Sequence, residues 1–88
     1  MQEGHNYGRE LLAQKKFKEA LSVFQMNYKK NPGQFTAMVG LARGYSANSD
    51  FKNALKYAQQ ALPLAPDPLN KNAVTAMIDK LKRSQDVN

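Results

Sequence analysis

Apolar residues recur at helical spacing in five stretches of the chain. They are Tyr7, Leu11 and Leu12; Phe17, Leu21, Phe24 and Tyr28; Met38, Leu41, Ala42 and Tyr45; Leu55, Ala58, Ala61 and Leu62; and Leu69, Val74, Met77, Ile78 and Leu81. Each set forms one stripe along one helix. Polar breaks at Gln14-Lys15-Lys16 and Asn48-Ser49-Asp50 separate them, as do proline-bearing breaks at Asn31-Pro32-Gly33 and Pro66-Asp67-Pro68. Proline removes a backbone donor and restricts the residue before it, so helices end there. Connections this short oblige consecutive helices to lie antiparallel. Asp67 followed by Pro68 is a start signal for the fifth helix, because Asp caps free N–H groups and proline's fixed φ suits the first helical position. Pro63 falls inside the fourth apolar pattern and predicts a kinked or tightened last turn near Leu62. The expected fold is all-α, with five antiparallel helices and no strand.

The pattern repeats. KKFKEALSVF and NSDFKNALKYA lie 34 residues apart, pairing Phe17 with Phe51, Lys18 with Lys52, Ala20 with Ala54 and Leu21 with Leu55. The same offset pairs Pro32 with Pro66 and Gly8 with Ala42. A fixed period of this length is the signature of a helical repeat array.

The spacing resembles the tetratricopeptide repeat, a 34-residue helix-turn-helix unit. Gly8, Phe17, Ala20, Phe24 and Pro32 stand at preferred positions of a first repeat over 1–34. Leu41, Ala42, Tyr45, Phe51, Ala54, Ala61 and Pro66 do so in a second over 35–68. Leu11 joins them as a packing residue. Residues 69–88 resemble the capping helix, with a short tail, that closes such arrays. The family's bulky aromatic near the start of each first helix is Gly4 and Met38 here, and the Phe of the second helix is Ala58 in the second repeat. The resemblance implies a right-handed α-solenoid whose inner wall is lined by the first helix of each repeat. On that wall it places Gln2, His5, Arg9 and Leu12, then Thr36, Val39, Arg43 and Ser46. Arg9 and Arg43 are equivalent across the period, and two guanidinium groups on one wall suit a carboxylate or an acidic peptide; both as ordinary solvated arginines is the other reading. Family members that hold chaperone tails use a lysine and asparagine clamp. The asparagine is missing here, so chaperone-tail binding is not expected.

Composition narrows the function classes. With 88 residues, the chain holds one small core. Hydrophobic residues make up 42% and the longest apolar runs are a few residues, so no membrane span is expected. The absence of cysteine excludes thiolate zinc sites and thiol nucleophiles, and a single histidine, His5, leaves almost no ligand set for a metal. No phosphate loop, catalytic dyad or nucleophile-elbow sequence occurs, so neither an enzyme nor a cofactor is expected. The net charge of +6 leans toward acidic partners. The excess is spread along all three segments with no basic block, which argues against nucleic acid. The N-terminus lacks a secretory signal pattern; the compartment stays open, cytoplasmic if this is the whole chain.

The leading expectation is a non-catalytic protein-binding module that takes a peptide in its groove or a copy of itself. The alternatives are a structural appendage at the C-terminal end of a longer bacterial chain, where similar repeat pairs occur, and a weak nucleic-acid binder. Two repeats and a cap are fewer than such arrays need to bury a continuous core, which favours self-association or docking on a parent chain. Tyr7, Phe17, Phe24, Tyr28, Tyr45 and Phe51 could stack bases, but their register with the leucines favours core packing. Met38 and Met77 read as gap fillers, and Lys15, Lys16, Lys18, Lys29 and Lys30 as solvated turn lysines.

Overall fold

A computed structural model describes the backbone of residues 2–88 and the side chains of residues 7–88. The helices are α1 (Gln2–Ala13), α2 (Phe17–Lys30), α3 (Phe35–Ala47), α4 (Phe51–Ala61) and α5 (Pro68–Lys82), with a 3-10 turn at Leu62–Leu64. No strand occurs among the described residues. The breaks fall where the polar and proline signals put them. The 3-10 turn holds Pro63, which lacks the donor needed to continue α4, so the last turn tightens. Asp67 caps α5 by accepting the Asn70 backbone N–H at 2.8 Å, and Asp50 accepts that of Asn53 at 3.3 Å for α4.

The ends of α1, α3 and α5 share one geometry. Lys15, Ser49 and Ser84 adopt φ of 61°, 62° and 56°, the left-handed region. The next residue's N–H in each case reaches back five residues: Lys16 to the Leu11 carbonyl at 2.8 Å, Asp50 to that of Tyr45 at 2.9 Å and Gln85 to that of Lys80 at 2.9 Å. These are Schellman closures, which satisfy the last free carbonyls of a helix. They stand at nearly the sequence period, so α5 ends as a third copy of the first-helix type. By contrast α2 ends at Asn31, whose Nδ2 donates to the Asn27 carbonyl at 3.0 Å, and α4 ends in the 3-10 turn.

Each helix packs on the next in the chain, and α1 also packs on α3. The body measures 28 × 26 × 18 Å, and its shortest axis is about two helix layers deep. Leu11, Ala20, Phe24 and Leu41 form one buried cluster; Ala42, Ala54, Ala58, Val74, Met77, Ile78 and Leu81 form the other. Tyr45 and Tyr57 touch both, stacked at 5.7 Å between centroids, with Tyr28 edge-on to Tyr57 at 5.4 Å. These tyrosines join the two clusters.

Close approach depends on two glycines. Phe24 has no exposed surface. A Cβ at Gly8 would lie 2.5 Å from Phe24 Cε1, and one at Gly44 would lie 3.0 Å from Phe24 Cδ2. The ring therefore lies against bare backbone of α1 and of α3. In the second hairpin Ala58 replaces Phe24 at the equivalent position, and its cluster is filled by side chains from α5. Of the packing residues named from the repeat, Gly8, Leu11, Ala20, Phe24, Leu41, Ala42, Ala54 and Ala61 are buried, and Tyr45 and Phe51 half-buried. Phe17 lies at the rim, and Pro32 and Pro66 are exposed because they end helices in turns. Besides Phe17, Tyr7 and Leu69 of the apolar stripes face solvent, at 53% and 79% exposed.

Candidate functional site

The contact of α1 with α3 places equivalent positions of the two first helices side by side. A depression of about 240 Å³ lies there, lined by Arg9, Thr36, Val39 and Arg43, with Phe35 and Asn70. Arg9 is exposed, while Thr36, Val39 and Arg43 are half-buried. Phe35 and Val39 pack against the Ala42–Ala58 side of the core and add apolar surface to a lining that is otherwise polar. The Arg43 pKa is lowered from the ordinary arginine value, first because burial strips water from the guanidinium and second because Arg9 carries the same charge nearby. Arginine remains protonated under this shift. Among the described residues no carboxylate forms an ion pair with Arg9 or Arg43. Two cations share a depression with no anion among the described residues, an arrangement that a carboxylate or phosphate entering it would relieve.

Asn70 was not visible as a wall residue in the sequence reading, although the 34-residue offset from Thr36 leads to it once α5 is counted as a third first helix. Its Nδ2 donates to the Asp67 carboxylate at 3.0 and 3.1 Å, so the Asp67 cap holds it in place. Phe35 was missed because it stands at the very start of α3, where apolar periodicity gives no direction.

The other wall residues are placed differently. His5 lies outside the described side chains, and so does Gln2. Leu12 is half-buried against the cluster of Leu11, Ala20, Phe24 and Leu41, so it belongs to the core. Ser46 is 1% exposed. The segment after α5 covers it: Ser46 Oγ donates to Asp86 Oδ1 at 2.6 Å and accepts the Val87 backbone N–H at 3.0 Å. Asn88 Nδ2 donates to the Arg43 carbonyl at 2.9 Å, one helical turn away. Expecting Ser46 on an open wall overlooked this tail, since α5 and its Schellman closure at Ser84 turn the chain back across α3. The Asp86 pKa is lowered: burial alone would raise it, but hydrogen bonds from Ser46, Asn88 and Val87 outweigh that and favour the carboxylate.

A second depression of about 310 Å³ is lined by Lys15, Lys16, Phe17, Lys18, Glu19 and Asn48. Its lysines are exposed and Glu19 already supplies a negative charge. Asn48 Nδ2 serves structure there, donating to the Phe17 and Gly44 carbonyls, each at 2.8 Å. Met38 and Met77 are buried, as core gap fillers are, while Met26 is 60% exposed. Among the described residues no three His, Cys, Asp or Glu side chains converge as a metal site would require, and no helix is long and apolar enough to cross a membrane.

Comparison with known proteins gives no relative: no family model matches the chain, and neither a curated protein nor a solved structure matches it.

Proposed function

We propose that this chain is a non-catalytic helical-repeat module of tetratricopeptide type, a right-handed solenoid of two repeats and a cap, that binds an acidic peptide on the wall shared by α1 and α3. The 34-residue period and the threefold recurrence of the Schellman closure support the repeat reading. The observation that carries the binding reading is the pairing of Arg9 with a half-buried Arg43 in a depression that holds no acidic partner among the described residues. Guanidinium groups bind carboxylates in bidentate fashion, and a partly desolvated site strengthens each such bond. Val39 and Phe35 offer apolar surface to the ligand's stem.

Fluorescence polarisation with labelled hexaglutamate tests this reading. The double variant Arg9→Ala/Arg43→Ala is expected to lose at least tenfold in affinity at unchanged helicity. Lys29→Ala/Lys30→Ala removes the same charge elsewhere and is expected to lose far less. Equal losses in both variants would mean that net charge alone attracts the peptide, and the wall would not be the site.

A further inference from the structure

The residues following α5 bind the same wall. Asp86, Val87 and Asn88 each meet α3 through a different group: a carboxylate on the Ser46 hydroxyl, a backbone N–H on the same oxygen, and a side-chain amide on the Arg43 carbonyl. The Val87 side chain packs against the cluster that holds Ala42, Ala54 and Ala58. Asn88 also folds onto Asp86, its backbone N–H and Nδ2 both reaching Oδ1, at 3.2 and 2.9 Å. Arg43 belongs to both places, its side chain lining the depression and its carbonyl holding the tail.

The chemistry of this contact is that of a bound peptide. The tail both covers the Ser46 hydroxyl and supplies its partners. A peptide that replaces the tail buries that hydroxyl again, so it must bring its own acceptor for the proton and its own N–H donor, or leave a buried polar group unmatched at a cost of about 1–3 kcal/mol. An acidic residue followed by any backbone N–H supplies both, and an aliphatic side chain at that next position fills the place of Val87. From Thr36 to Ser46 the wall runs about 15 Å along α3, the span of four or five residues of extended peptide.

We propose that the segment Asp86–Asn88 is a resident ligand of this wall, and that the partner is an extended acidic peptide with an acidic–aliphatic pair that displaces it. The pair takes the places of Asp86 and Val87, and further carboxylates reach Arg43 and Arg9. This inference rests on the reading of the wall as a peptide site and adds its regulation and the sequence character of its ligand. A tail seated about nine-tenths of the time lowers the apparent affinity of a competing peptide about tenfold.

The test uses the full chain, its Asp86→Ala variant and a synthetic peptide with the chain's own residues 83 to 88. Amide exchange comes first: the Val87 N–H is expected to be protected in the unaltered chain and to exchange at the unstructured rate in the variant. The peptide is then expected to bind the variant about tenfold tighter than the unaltered chain, shifting the amide resonances of Arg43 and Ser46. Asp86→Asn, which keeps the side-chain shape and removes the charge, is expected to act in the same direction, and Asp86 lies outside every helix, so helicity is unchanged in both. An unprotected Val87 amide in the unaltered chain, equal affinity for both chains, or no binding to the variant would each overturn the proposal. Hexaglutamate separates the two readings. If it still depends on Arg9 and Arg43 while the tail peptide shows no competition, the resident-ligand proposal fails and the acidic wall stands. If it shows no such dependence, the acidic wall fails, whatever the tail does.

Discussion

The two hairpins repeat the same backbone at 34 residues' distance but fill their interiors from opposite sides. In the first, the bulk comes from α2: Phe24 lies against Gly8 of α1 and Gly44 of α3. In the second, α4 offers only Ala58 at the matching position, and the volume comes from α5. Adding the period to Gly44 gives Ile78, which is buried in the Ala58 cluster. Phe with Gly at one interface is thus exchanged for Ala with Ile at the next. A repeat conserves the volume of an interface rather than the residue at a position, because close packing penalises both the void and the excess.

The largest expected effect breaks that exchange. Phe24→Ala should lower stability by about 3–5 kcal/mol, as aromatic truncations in cores do, read as a shift in the denaturant midpoint. Adding Gly44→Ile to it rebuilds the second hairpin's arrangement in the first and should return part of the loss. Recovery should be incomplete, since a Cβ at Gly44 lies 3.2 Å from the Leu21 Cα, which is backbone and cannot swing aside. Strictly additive losses would sink the volume-exchange account.

Gly8→Ala places the second hairpin's residue in the first. Alanine in a helix interior gains up to about 1 kcal/mol over glycine, yet the new Cβ meets a Phe24 ring held on its other edge by Gly44. Overpacking of this kind costs about 1–3 kcal/mol, so net destabilisation is expected in thermal unfolding. In the Phe24→Ala background the same change should become stabilising.

A third contrast is Asn27 against Ala61, one period apart. Asn27 Oδ1 accepts from Asn31 Nδ2 at 3.1 Å, but its own Nδ2 is buried without a partner. Asn27→Ala removes that donor and adds helix propensity, and Asn31 keeps its bond to the Asn27 carbonyl at 3.0 Å. A gain of about 1 kcal/mol is expected. A loss would mean that the amide fills space that alanine leaves empty.

The shared helix closures predict a smaller gain. Lys15, Ser49 and Ser84 hold a left-handed conformation that glycine adopts without steric cost. Substituting each by Gly should add a few tenths to about 1 kcal/mol, and similarly at Lys15 and Ser49 if the two hairpins are equivalent there.

The smallest effect is local and depends on pH. Asp86 has a folded-state pKa below its unfolded value, so its contribution is present above the ordinary aspartate range and is lost as the pH falls through the lower folded value. The protection of the Val87 amide, its exchange rate compared with the unstructured rate at the same pH, should therefore fall in acid while the helices persist. Leu12, the first-hairpin equivalent of Ser46, has no such dependence because it packs in the core.

Much of the fold was legible because helical periodicity, polar breaks and prolines are local signals. Pro63 named the tightened turn and Asp67-Pro68 the start of α5, each through its own backbone chemistry. The period made Arg9 and Arg43 equivalent, the family resemblance implied that they share a wall, and the depression they line joins them to Thr36 and Val39. Leu12 and Ser46 shared their register, and nothing local separates a wall residue from one that a neighbour covers.

The sequence by itself determined five helices, their order and the 34-residue repeat, since each follows from spacing and from residues that start or stop a helix. Only the tertiary structure decided that Phe24 needs glycine on two other helices, that α5 supplies the volume Ala58 lacks, and that the tail lies over Ser46 beside Arg43. These are contacts between residues 16 to 45 positions apart. They depend on which surfaces meet after the helices pack, and no local pattern records that.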